Sequence, residues 1–340
     1  MVVVGFMHLI AGNLVIGFLE GALFARLTKS SYGASILGFI VANYLSAWLG
    51  VIWLFEPGGS FWTSVTIENL CWMVGIQIGV SFLLTLAVEF PFAWFAARWG
   101  GKGIGLSARV VWSHCKVQAA SYLILFFGYW AVSDTSALWA TVVSPEELLP
   151  SGLRIIYIGP EGRAVHEMNS STHATKRISE IPEASNRHTL LFRQGTEGWS
   201  VVVSHPAGLN DHYTVKVVVS GIPTEKCPVR SSGYPLVQPQ NPWDPAVQFG
   251  SDQGEWHYYG DVWGRGLTAQ RFSGGGEELV QARRLAFSYP LLGWVTHEVT
   301  RLPNEMALFR FGSNQICIYD PDTNQVALVA KGRSVVVVRE

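Results

Sequence analysis

The chain has 340 residues and a formal net charge of −1, with 49% hydrophobic and only 14% charged residues. An ordinary soluble domain carries about 25% charged residues, so a uniformly soluble protein is excluded. The near-neutral charge and the lack of a basic patch argue against a nucleic-acid partner.

The charge deficit is local. Residues 1–133 hold six Lys/Arg and four Glu with no Asp, whereas the remainder holds eighteen Lys/Arg and twenty-one Asp/Glu. A helix that crosses a bilayer needs about 20 mostly apolar residues, and the first 133 residues contain four such runs. They are Val2–Phe24, Ser35–Phe55, Leu70–Phe95 and a fourth, about 112–132, whose start lies between Val110 and Val117 and whose end lies near Val132. Lys116 crowds the fourth run but can snorkel to an interface. Trp53, Trp62, Trp94, Trp99 and Trp130 fall near the expected helix ends, where interfacial Trp is common. The Met1 end has no basic region and no small-residue cleavage site, so a removed signal peptide is not expected.

Loop charge predicts the orientation. The first connection carries Arg26 and Lys29, and the third carries Arg98, Lys102, Arg109 and Lys116; the second has no Lys or Arg. Basic loops stay in the cytoplasm. Both termini and everything after residue 133 are then expected outside, on an integral protein of the plasma (inner) membrane.

The four spans read as one helical hairpin written twice. Glu20 precedes Arg26 and then an apolar run with Asn43 and Ser46; Glu89 precedes Arg98 and then a run with Gln118 and Ser121. Two parallel hairpin repeats keep the same orientation, as in some transporters. By depth, all six polar residues are expected in the inner half of the bilayer. Asn43 and Ser46 share one helical face, as do Gln118 and Ser121. Pro91, two residues after Glu89, frees a backbone carbonyl. One reading is an ion or proton pathway, since charge inside a bilayer is costly and usually functional. The other is helix–helix glue, at about 0.6–2 kcal/mol per hydrogen bond, which a bundle of only four helices favours. Gly5, Gly12, Gly17 and Gly21 fit close helix packing, within the protein or against a partner.

Residues 134–152 are expected as a linker or interfacial segment, with a helix start at Ser144-Pro145-Glu146-Glu147. Residues 153–340 are expected as a mainly antiparallel β domain. Its predicted strands are Leu153–Ile158, Thr189–Phe192, Trp199–Ser204, Tyr213–Ser220, Ala307–Phe311, Gln315–Tyr319, Gln325–Ala330 and Ser334–Arg339, each rich in β-branched or aromatic residues and bounded by turn formers. Gly162–Arg187 is polar and reads as a loop. Pro223–Trp263 reads as a long irregular excursion. Within and around it, Trp243, Trp256, His257, Tyr258, Tyr259 and Trp263 form either a partner surface or the excursion's own core.

At residues 315–338 a strand, an Asp-Pro-Asp-Thr-Asn turn, a second strand, a Lys-Gly-Arg turn and a third strand follow one another. This tenth of the chain resembles a single β-propeller blade. No second copy is present, so a meander or sandwich is expected. Asp320, Asp322 and Asn324 also mimic the start of a calcium loop, but Gln325 replaces the required Gly and Lys331 the closing Glu. A plain turn is the better reading.

No catalytic signature, phosphate loop or dinucleotide fingerprint occurs. The nine His show no metal spacing, and no cofactor is indicated. Cys227 and Cys317 are candidates for a disulfide in an oxidising compartment. The resulting expectation is a non-catalytic membrane subunit that anchors an outer β domain in a larger assembly, of other subunits or of its own copies. The alternatives are a channel or transporter component using Glu20 and Glu89, and, last, a membrane enzyme acting on lipid or envelope substrate.

Overall fold

The computed structural model describes residues 8–54, 64–99, 107–182, 188–207, 212–227, 247–248, 255–261, 266–273, 278–289 and 292–340. The chain divides into two compact units: residues 1–65, 69–133 and 289–291 form the first, and 66–68, 134–288 and 292–340 the second.

In the first unit a π-helical turn, His8–Gly12, leads into α1 (Asn13–Thr28), followed by α2 (Tyr32–Leu54), α3 (Leu70–Trp99) and α4 (Ala108–Val132). All four are long and apolar enough to cross a membrane. Large apolar side chains such as Leu14, Phe18, Leu37, Leu83 and Phe127 point outward, which a water-soluble bundle would not tolerate on every helix. α1 packs on α2 and α4, and α3 packs on the same two helices. α4 begins earlier than its hydropathy predicts. Arg109, in its first turn, donates from Nε and Nη2 to the Leu27 carbonyl at 3.1 and 2.8 Å, satisfying an orphan acceptor at the end of α1. Lys29 ends α1 in the left-handed region, at φ 58°.

Burial in this unit is uneven. Phe24, Phe39, Ala93, Ala97, Val110 and Val117 form an apolar cluster at the end where α1 meets α2. No residue of α3 from Cys71 to Val88 is buried, and none of α4 after Ser121.

In the second unit β1 (Thr141–Val142) precedes α5 (Pro145–Leu148), which Ser144 and Glu147 close with a capping box. Then come β2 (Leu153–Ile158), β3 (Ala164–Asn169), β4 (Thr175–Glu180), β5 (Thr189–Gly195), β6 (Gly198–Ala207) and β7 (His212–Ile222). β8 (Val247–Gln248), β9 (Trp256–Asp261), β10 (Gly266–Phe272), β11 (Leu279–Leu285), β12 (Ser288–Tyr289) and β13 (Leu292–Gly293) follow. The last five are β14 (Thr296–Arg301), β15 (Ala307–Phe311), β16 (Gln315–Asp320), β17 (Gln325–Lys331) and β18 (Ser334–Arg339).

The main body has three layers. Its middle is the sheet β18-β2-β3-β4, flanked by the sheet β5-β6-β7 and by the six-stranded sheet β1-β17-β16-β15-β14-β8. Among the described strand pairings of this body, β1–β17 and β14–β8, both at the edges of the six-stranded sheet, are parallel. Ile156, Ile158, Val336 and Val338 pack with Leu190, Phe192, Val201 and Val203. Their neighbours Ile155, Tyr157, Val335 and Val337 turn the other way, onto Leu308, Ile316, Ile318 and Ala327. β2 and β18 are therefore buried on both faces, which is why they read as unbroken apolar runs. Each such side chain contributes about 1.5–3 kcal/mol when fully buried.

Three sequence expectations are corrected. The blade does not form: β16 and β17 make a hairpin, but β18 leaves for the middle sheet and pairs antiparallel with β2, Ser334 opposite Ile158. The crossing is tight at Gly332, where a Cβ would lie 2.8 Å from the Ile158 carbonyl oxygen. The polar stretch Gly162–Arg187 is not a loop throughout; it contains β3 and β4, and Glu167 of β3 bridges Arg154 of β2 at 2.8 Å and Lys176 of β4 at 3.2 Å. Residues 134–152 are no free linker, since the Ala137 and Thr141 amides donate to the Ala286 and Asn324 carbonyls.

Candidate functional site

The six polar residues singled out in the helices meet in one cluster. Glu20 of α1 and Glu89 of α3 are only 4% and 1% exposed, and Asn43, Gln118 and Ser121 are also buried. Asn43 Nδ2 donates to Glu20 Oε2 at 2.5 Å, and Gln118 Nε2 to Glu89 Oε2 at 2.6 Å. Ser46 Oγ donates to Glu89 Oε1 at 2.6 Å. Ser121 lies within hydrogen-bonding reach of the Glu20 carboxyl, as does Gln118.

These contacts follow the repeat. Each carboxylate takes an amide N–H from its own hairpin, and Glu89 also takes the Ser46 hydroxyl of the other hairpin, whereas the Ser121 hydroxyl donates to the Val117 and Gln118 carbonyls. Each serine also lies on the carbonyl three residues before it, Ser46 on Asn43 at 3.2 Å and Ser121 on Gln118 at 3.0 Å. The two hairpins thus each pair a carboxylate with their own amide, although the sequence identity between them is thin.

Local structure sets this geometry. Gly17 and Gly21 let α1 approach α2, and Glu20 lies beside that contact. A Cβ on Gly17 would lie 2.7 Å from the Ile40 Cα. The glycine face of α1 is therefore used at least at these two positions inside the protein. Gly5 lies outside the described residues. Pro91 sits inside α3 one turn from Ala87, removing the bond that its N–H would have made.

Among the described residues neither carboxylate is paired with a cation. Arg26 and Arg98 are exposed, and Arg98 lies over the Trp94 ring, 5.8 Å from its centroid. A buried anion without a counter-charge costs several kcal/mol, and two close together repel each other. Neutral amide and hydroxyl donors offset part of that cost.

The aromatic segment is divided. His257 is exposed and Tyr259 half-buried on β9, while Trp256 and Tyr258 are buried, as alternation along a strand requires. Trp256 Nε1 donates to Asp322 at 3.2 Å, the Tyr258 hydroxyl donates to the Glu305 carbonyl, and Arg271 covers the Trp256 ring. Half of this segment is core. Trp243 and Trp263 lie outside the described residues.

Asp320 closes its own turn, accepting the Asp322 amide at 2.9 Å and the Thr323 hydroxyl at 2.6 Å. Among the described residues no group of three or more His, Cys, Asp or Glu could hold a metal ion.

Cys227 and Cys317, the candidate disulfide pair, are both buried free thiols. Cys227 packs between β5-β6-β7 and the middle sheet, whereas Cys317 lies inside the six-stranded sheet opposite Phe309 and Leu328. Burial pushes the Cys227 thiol up to about 11 and the Cys317 thiol well above the usual range.

Two residues escaped the sequence reading. His114 of α4 is buried beside the glutamate cluster. Glu298 of β14 lies in a bulge at φ 55° and joins strands. It pairs with Arg310 at 3.2 Å, accepts the Ser334 hydroxyl at 2.8 Å and the Val335 amide at 3.0 Å. Ser334 in turn accepts the Leu190 amide at 3.0 Å.

No known protein family matches the chain, and none of the curated proteins is similar enough in sequence to count as a relative.

Proposed function

We propose that this is an integral membrane protein whose four helices span the bilayer and whose Glu20–Glu89 pair takes up and releases a proton or small monovalent cation, as part of a channel or transporter. The observation that carries this reading is the pair itself: two buried carboxylates, each held by an amide from its own hairpin, with no Lys or Arg on either among the described residues. Helix glue needs only neutral donors and acceptors and gains nothing from two unpaired acids.

The α1–α2 and α3–α4 connections face the cytoplasm and the β unit lies outside. The basic residues Arg26, Lys29, Arg98 and Arg109 support this.

The test is ion or proton flux in vesicles containing the full chain. Replacing both Glu20 and Glu89 by Gln should abolish flux, and unchanged flux would remove the reading. The role of a subunit in a larger assembly is a second reading. It is favoured by exposed Val215 and Val217 on β7 and Leu279 and Val280 on β11, both edge strands of three-stranded sheets, which tend to pair with other chains. A native mass in mild detergent equal to one chain would exclude that role.

A further inference from the structure

The layer directly on the cytoplasmic side of the glutamate pair is built from one residue of each helix. One turn beyond Glu20 comes Phe24, one turn before Asn43 comes Phe39, one turn beyond Glu89 comes Ala93, and one turn before Gln118 comes His114. Under the repeat Phe24 corresponds to Ala93 and Phe39 to His114. The first hairpin therefore supplies two phenyl rings, and the second a methyl group and an imidazole. Phe24, Phe39 and Ala93 are fully buried and close the route to the cytoplasm with hydrocarbon.

His114 is the one titratable group in that layer. It is 2% exposed, with its ring 6.0 Å from Phe39 and 5.8 Å from Phe90. Nε2 lies 3.2 Å from the Leu86 carbonyl oxygen. A carbonyl only accepts, so Nε2 carries the hydrogen and Nδ1 carries the lone pair. Nδ1 is buried and has no hydrogen-bond partner among the described residues. A buried acceptor left free in this way calls for an explanation, and a phenyl ring, as in the first hairpin, would fill the site without that cost.

We propose that His114 carries protons between the cytoplasmic end of the bundle and the Glu20–Glu89 pair, a role that rests on the reading of that pair given above. The Nδ1 lone pair takes one proton while the Nε2–H stays on Leu86. The imidazolium then gives that proton to a glutamate carboxylate and returns to its neutral form. No other bond changes. His114 lies one turn of α4, about 6 Å of rise, from Gln118, which holds Glu89. The helices packed around it bring Glu20 and Arg26 on α1, Glu89 and Arg98 on α3, and Arg109, Cys115 and Lys116 on α4 itself. α2 brings Tyr32 at its start and Tyr44 near its middle. Both arginines on α1 and α3 are exposed, so the glutamates are the buried charges that an imidazolium would meet.

The experiment is a rapid pH jump on the full-length protein in detergent, with the protonated-carboxyl infrared band of the pair as the readout. The Glu20→Gln/Glu89→Gln double variant identifies that band. His114→Gln keeps a donor for the Leu86 carbonyl and removes the titratable ring; His114→Asn serves equally should the first fail to fold. In the wild type the protonation rate should level off once the imidazole is charged. In the variant it should fall about tenfold or more and rise with hydronium concentration over the whole range. An unchanged rate would overturn the relay, and so would a rate lowered by the same factor at every pH, the mark of a merely structural role. A band that never changes, or that survives in the double glutamate variant, would overturn the reading of the pair instead.

Discussion

Gly21 of α1 lies so close to α2 that a Cβ built on it would stand 2.4 Å from the Cα of Ile36. Backbone cannot yield as a side-chain tip can. Gly21→Ala should therefore push the helices apart, move Glu20 away from Asn43, and cost about 1–3 kcal/mol. Gly33 meets nothing within 4 Å, so Gly33→Ala should be neutral or slightly stabilising. Thermal melts of the two variants in one detergent decide the matter; equal melts would show that the close crossing is not sensed.

Asn43 and Glu20 should behave as a coupled pair. Asn43→Leu removes a donor from a buried carboxylate and should cost about 1–3 kcal/mol. The double variant Glu20→Leu/Asn43→Leu removes both partners and should recover most of that loss. Denaturant unfolding of the two single variants and the double variant gives the coupling, and strict additivity would contradict the hydrogen bond.

The β unit should weaken on mild acidification. Burial, with Arg310 nearby, pushes His297 down to about 4. Between its ordinary value near 6.5 and about 4, the unfolded chain binds the proton and the folded chain does not, so stability falls as pH falls. Glu298 acts in the opposite sense: burial holds its carboxyl above the usual range, so its contribution fades as pH rises. The wild type minus His297→Gln difference isolates the histidine. Hydrogen exchange of the β14 amides from pH 7 to 4 should show an acid loss in the wild type and a smaller one in the variant.

Glu298→Ala should destabilise the β unit by about 3 kcal/mol, because Arg310 is left with an uncompensated charge and the Ser334 and Val335 donors lose their acceptor. Faster exchange in β18 as well as in β14 is expected, since Glu298 reaches both strands. A loss confined to β14 would show that the junction carries little energy.

The helices and the polar hexad were legible because charge and amides stand out in apolar runs. The pairing of those residues across hairpins was not, because hydropathy locates depth but not which faces meet. β2, β15 and β18 were legible as short β-branched runs between turn formers. β3 and β4 were hidden by their polar, edge-facing side chains such as Lys176 and Arg177, and β9 by the Pro- and Gly-rich stretch before it. The course of β18 after Gly332 depends on which sheet it joins, and alternation does not encode that. Glu298 was invisible for a related reason: nothing in the sequence marks a glutamate that must take up a left-handed backbone in a bulge.

The β2–β18 pairing joins Leu153 to Arg339 and Ile158 to Ser334, closing a loop that takes in nearly the whole β unit. Contacts so distant along the chain slow folding. Until β18 has been synthesised, β2 has β3 on one edge and no strand to shield the other. During biogenesis this unit is therefore most exposed to aggregation before Ser334–Arg339 arrives, and its yield should depend on chaperones that hold the nascent chain apart from its neighbours until then.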